Sequence, residues 1–307
     1  MERKELEDAA RKILLGNLRQ GVADWNGKEF NFVCPSLTGY PFQWFWDSCF
    51  HAIALLHLDQ EQAKAEMRTL MSGALPDGFI PHIIFWEMEK QPDFLSRNIV
   101  GRTSEFYSAT MQPPIIAYTV ERIYQATGDE EFRAAALPVL TAFYRWLRLN
   151  RDPDNDGLIA VIQPEEAGTD CSPKYDEALG LEELSNKGFI TALRKVYAAY
   201  EPMRGDDRRI LAADIFHFED VLVNSIYAMG LRSLSRLLAG TGEDGEADAA
   251  EFEREADKTR DALLSKCWDE EAGAFFDLSG VAEKPVKIVT ISSLMPLILE
   301  DLPRPIV

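Results

Sequence analysis

Residues 132–147 set Phe132, Leu137, Leu140, Phe143, Tyr144 and Leu147 on one helical stripe, and that period recurs along most of the chain. The runs 181–203, 208–239 and 249–267 read the same way, as do the first twenty residues and the run 47–58. Thr127-Gly128-Asp129 marks one start, because glycine can close a helix and aspartate can cap the next. Nowhere do strands alternate with helices, so the pattern predicts an all-α fold and excludes a doubly wound parallel sheet.

Three of these helices end alike, in an acidic, Gly-containing turn followed by a short apolar extended piece. The instances are Leu75-Pro76-Asp77-Gly78-Phe79-Ile80, Asp152-Pro153-Asp154-Asn155-Asp156-Gly157-Leu158-Ile159 and Trp268-Asp269-Glu270-Glu271-Ala272-Gly273-Ala274-Phe275. Repeating helical units bury their apolar faces on one another, in a solenoid or a closed ring. Unequal spacing favours an α/α barrel with loops of varied length. Residues 240–249 are expected to form a solvated loop between helices, and the sequence reads as one domain over 1–307.

With 51 Asp and Glu against 32 Lys and Arg, the net charge is −19. Such a surface repels nucleic acid and anionic membranes, and suits a small neutral ligand held in a local pocket. A chain of 307 residues buries about 75% of its unfolded surface and needs neither disulfides nor metal to fold. Cys34, Cys49, Cys171 and Cys267 lie far apart with no CxxC pair, as in a reducing compartment. The amphipathic, charged N-terminus lacks a signal peptide's apolar stretch, so the expected location is the cytoplasm.

Three segments could carry chemistry. Tyr40-Pro41-Phe42-Gln43-Trp44-Phe45-Trp46-Asp47 gathers aromatic rings for stacking on sugar C–H groups and an acid for hydroxyls. The same rings would serve as core, with Asp47 capping the next helix. Met111-Gln112-Pro113-Pro114 sets Gln112 at a helix entrance, able to bind a ligand or to cap. Pro164-Glu165-Glu166-Ala167-Gly168-Thr169-Asp170-Cys171-Ser172-Pro173 is a bent acidic loop between helices, where catalytic groups concentrate. Glu165, Glu166 or Asp170 could supply a general acid if burial or a nearby negative charge keeps it protonated. A plain solvated loop has the same composition.

Other signals fail. Asp152, Asp154, Asp156 and Gly157 match the opening of a calcium loop, but Gln163 stands where a bidentate Glu is required and an extended segment follows. The four histidines show no metal-ligand spacing, so no metal or cofactor is expected. GxSxG, GxGxxG and P-loop motifs are absent.

Taken together, Gln43-Trp44-Phe45-Trp46-Asp47-Ser48, Gln112-Pro113-Pro114, Gly168-Thr169-Asp170-Cys171-Ser172-Pro173 and Glu219-Asp220-Val221-Leu222-Val223-Asn224 resemble the (α/α)6-barrel glycosidases of the mannosylglycerate and glucosylglycerate hydrolase type, relatives of family 63 α-glucosidases and trehalases. The resemblance implies a six-hairpin toroid with short β-hairpins in its loops. It also implies an exo-acting inverting glycosidase that releases glucose or mannose from a small α-glycoside. Asp170 falls on the general acid. Trp46 and Asp47 fall on residues of the innermost sugar subsite, Tyr40 and Phe42 on its lining, Gln112 on a polar sugar contact, and Gly168 on the position that lets the acid loop approach. Thr169 and Cys171 stand where relatives often carry Trp and Asn.

An inverting site also needs a second carboxylate, about 6.5–9.5 Å from the first. In the resembling enzymes it follows a Tyr-Trp-Arg-Gly-Pro segment absent from these 307 residues. The expectation is therefore a barrel lacking its last helices. Two other readings follow: a carbohydrate-binding or helical-repeat interaction protein without turnover, and, ranked last, a histidine-dependent sugar epimerase.

Overall fold

The structure is a computed structural model that describes residues 3–87, 106–181, 185–303 and 306. Its longer helices pair as hairpins. Helix α1 (Arg3–Gly16) is followed by a hairpin of β1 (Leu18–Val22) and β2 (Glu29–Val33). Then α2 (Phe45–Leu55) packs on α3 (Gln60–Ser72), and α4 (Ile116–Thr127) on α5 (Glu130–Arg151). After α6 (Asn186–Tyr200) and α7 (Asp207–Ala212), α8 (Val221–Leu238) packs on α9 (Glu243–Ala262). The inner members touch in turn, α2 on α4 and α4 on α8, and one large apolar cluster runs through all three hairpins.

Local chemistry explains the boundaries. Gly128 adopts φ +64° to end α4, and the Asp129 carboxylate accepts the Phe132 amide at 2.9 Å to start α5. Asp220 caps α8 by accepting the amides of Leu222 and Val223. Nearly every face of α8 is buried, and the few polar side chains buried on it are small, as its inner position requires.

Two sequence expectations need correction. The run 208–239 is not one helix: β5 (Phe218–Glu219) interrupts it and pairs antiparallel with a strand over Asp277–Ser279. The expected loop at 240–249 is shorter, because α9 begins at Glu243 with Glu243, Asp244 and Glu246 in its first turn, where the helix dipole favours negative charge. Of the helix expected over 181–203, residues 182–184 lie outside the described residues.

Candidate active site

Strand β3 (Gln43–Trp44) pairs with β4 (Ile83–Ile84) and delivers the chain straight into α2. Trp44 rather than Asp47 is the N-cap residue, and Asp47 sits in the first turn, where the helix dipole favours its charge. Gln112 closes on the same turn. Its Oε1 accepts the Trp46 amide at 2.9 Å, and its amide group bonds the Asp47 side chain.

The acidic loop is held from beneath by charge. Arg151, ending α5, is fully buried and donates to both oxygens of Glu166 at 2.6 and 2.7 Å. Glu166 also accepts the Met111 amide at 3.0 Å and the Ile162 amide at 2.8 Å, so one carboxylate ties the loop to the residue preceding Gln112. Further along, Lys174 and Tyr175 donate to Asp220 Oδ2 at 2.5 and 2.6 Å, pinning the loop to the cap of α8. Between these anchors Gly168 adopts φ +68°. A Cβ there would lie 2.3 Å from the Trp46 indole, so only glycine lets the loop come this close.

The result is a cavity of about 440 Å³. Tyr40, Trp46, Asp47, Gln112, Gly168 and Asp170 all line it, drawn together from three separate stretches of sequence. Phe42 does not. It is buried behind the wall with Ile83, its ring edge-on to Phe85 at 5.0 Å, and Trp44 supplies the lining indole instead. Four ionisable lining residues lie outside the set that the resemblance implies: His82, Glu165, Arg194 and Tyr197. In the sequence Glu165 is only one of three candidate acids, and nothing local marks Tyr197, which arrives from α6 to donate its hydroxyl to Glu165.

Electrostatics divide the acids. Burial pushes the Glu165 carboxyl up to about 7, against the pull of the Tyr197 hydroxyl. Asp170, reached by solvent through the cavity, is also raised by desolvation. Asp47 is raised by burial, partly offset by its backbone amide and Gln112. Burial alone drives His82 down to about 3, so its ring is neutral and can only share hydrogen bonds. Glu166, locked by Arg151, does not face the cavity.

The chain matches the mannosylglycerate hydrolase MGH1-like glycoside hydrolase domain over residues 40–307. It belongs to this family of glycosidases. Mannosylglycerate hydrolase from Thermus thermophilus is 31% identical over 295 residues, covering 87% of this chain and 69% of that protein. Glucosylglycerate hydrolase from Mycolicibacterium hassiacum is 28% identical over 310 residues, covering 86% and 67%. A crystal structure of a GH63 mannosylglycerate hydrolase from Thermus thermophilus in complex with Tris superposes with a TM-score of 0.81 at 30% identity, covering 95% of this chain and 72% of that one. The fold of this family member is thus the all-α (α/α)6 toroid, with short strands confined to its loops. Among its described residues no helix is long and apolar enough to cross a membrane.

Proposed function

We propose that the protein hydrolyses a small α-glycoside from its non-reducing end with inversion, releasing mannose or glucose, and that the acceptor it frees is an acid such as glycerate. The observation that carries this reading is the cavity itself, in which an acid raised by desolvation shares one wall with aromatic rings, Asp47 and Gln112. Asp170 protonates the glycosidic oxygen as the bond breaks. Trp46 lies under a sugar face, Asp47 and the free edge of Gln112 take hydroxyls, Tyr40 flanks the opening, and Gly168 admits the acid loop. Arg194, which makes no ion pair with a described residue, is the cation at this otherwise acidic cavity and suits a carboxylate on the leaving group. Residues 1–307 act as one domain in this reading, supported by the apolar cluster shared by the three hairpins. The dispersed cysteines favour the cytoplasm as the compartment.

The test is incubation with mannosylglycerate and with glucosylglycerate, followed by proton NMR of the first product. Release of the β-anomer from an α-glycoside is expected. Binding of either glycoside without release would instead favour the carbohydrate-binding reading, and first-formed α-anomer would exclude inversion.

A further inference from the structure

We propose that Glu165 is a further substrate-contacting residue of this site, its Oε2 exchanging a hydrogen bond with a hydroxyl group of the bound glycoside. The inference rests on the glycosidase reading above and adds to it a residue to which the resemblance gives no role.

The side chain is built into its place from both ends. Its backbone forms part of the short turn Pro164–Ala167, whose next residue, Glu166, is fixed by Arg151 and two backbone amides. Its Oε1 accepts the hydroxyl of Tyr197, itself largely buried on α6. The other oxygen, Oε2, is covered and has no hydrogen-bond partner, while the half-buried residue lines the cavity beside Asp170, so a small turn of the carboxyl presents Oε2 to a hydroxyl bound there. A buried carboxyl oxygen left in this state favours any ligand that satisfies it. A hydroxyl fits the protonated and the ionised carboxyl alike, accepting from the first and donating to the second. An ammonium group would serve only the ionised form. Since burial pushes this carboxyl up to about 7, both forms are populated around neutrality, and the bond reverses its direction with pH while surviving.

The experiment is calorimetric titration of mannose, glucose and mannosylglycerate into the Asp170→Asn protein, which cannot turn the glycoside over efficiently. The same titrations follow in that background with Glu165→Ala, Glu165→Gln or Tyr197→Phe, at about pH 6 and about pH 8. Glu165→Ala is expected to weaken binding at least about tenfold and Tyr197→Phe by less. Glu165→Gln should erase whatever change in Kd the parent shows between the two pH values. A purely structural Glu165 would lower the melting temperature of its variants but leave the pH dependence of Kd intact. Where Glu165→Ala fails to fold, the isosteric Glu165→Gln carries the test. Binding by all variants within about twofold of a parent that binds overturns this inference alone. A parent that binds none of the three sugars overturns the glycosidase reading, and this inference with it.

Discussion

At Gly168 a single methyl group would collide with the Trp46 ring, and this contact joins the loop carrying Asp170 to the aromatic wall of the cavity. Gly168→Ala must both adopt φ +68°, at a cost of roughly 1–2 kcal/mol for an L-residue, and push the loop away. We expect kcat/KM to fall at least about tenfold, since displacement of the order of an ångström is enough for such losses. Steady-state kinetics with the melting curve recorded alongside would check it. Unchanged kinetics would mean that the close approach plays no part in catalysis. Asp170→Asn should cost about 10²–10⁴ in kcat, least for aryl glycosides whose leaving groups need no proton. Because desolvation raises Asp170, it stays protonated to higher pH than a free carboxyl, and activity should be lost as pH rises through its pKa. That limb should be missing from the Asp170→Asn profile. Arg194→Ala should raise KM for glycerate glycosides several-fold and leave it unchanged for neutral aryl glycosides. Equal effects on both classes would remove the carboxylate from its role.

Between elements, the buried pair of Arg151 and Glu166 fixes the end of α5, the acid loop and the approach to Gln112 together. Arg151 also faces Asp207 at 3.4 Å, so its removal strands two buried carboxylates. Arg151→Met is expected to destabilise by about 3–5 kcal/mol, measured by urea unfolding. Arg151→Met with Glu166→Gln should recover part of that loss, a coupling a double-mutant cycle would report. Additive losses would argue against the pair as the anchor. How far such anchoring is legible in the sequence depends on reach. The cap at Asp129, the glycine turn before it and the loop carrying Asp170 are local and can be read directly. Partners supplied from far along the chain cannot. Phe218 and Glu219 look helical until Leu278 and Ser279 pair with them. Tyr197 is just another apolar position on α6 until the loop brings Glu165 against it. Phe42 and Trp44 belong to one aromatic run, and only the position of β4 decides which ring is buried and which lines the cavity. The acidic turn that fails as a calcium loop is similar: Asp154 and Asp156 meet Glu219 and Glu283, their carboxylates within 4.8 Å of one another, and Lys266 supplies counter-charge to Asp156 and Glu283.

Over the whole molecule, α3, β5 and the loops hold several carboxyls away from water, and this sets how stability responds to pH. Burial raises Glu66 to about 8, Glu165 and Glu219 to about 7, and Asp152 to about 6. A carboxyl raised on folding binds its proton more tightly in the native state, so its contribution is complete below the unfolded pKa and is lost as pH rises through the folded one. The four together should make the protein most stable on the acid side of neutrality, near about pH 5, with stability falling towards about pH 8. Surface carboxylates such as Asp129 and Asp269 are lowered by Lys64 and Lys287. They act in the opposite sense, withdrawing stability only as pH drops into the acid range, and lying at the surface they contribute little. Growing self-repulsion of a chain already at −19 works in the same direction as the buried groups. Glu66 isolates the effect, because it lies at the centre of α3, accepts the Val33 amide at 2.6 Å and does not line the cavity. In Glu66→Gln the amide oxygen keeps that hydrogen bond and nothing titrates. The variant should therefore gain stability relative to the parent at about pH 8 and lose that advantage at about pH 5, with sugar binding unaffected. Melting temperatures across that range decide it: parallel curves for parent and variant would mean that Glu66 stays ionised in the folded protein.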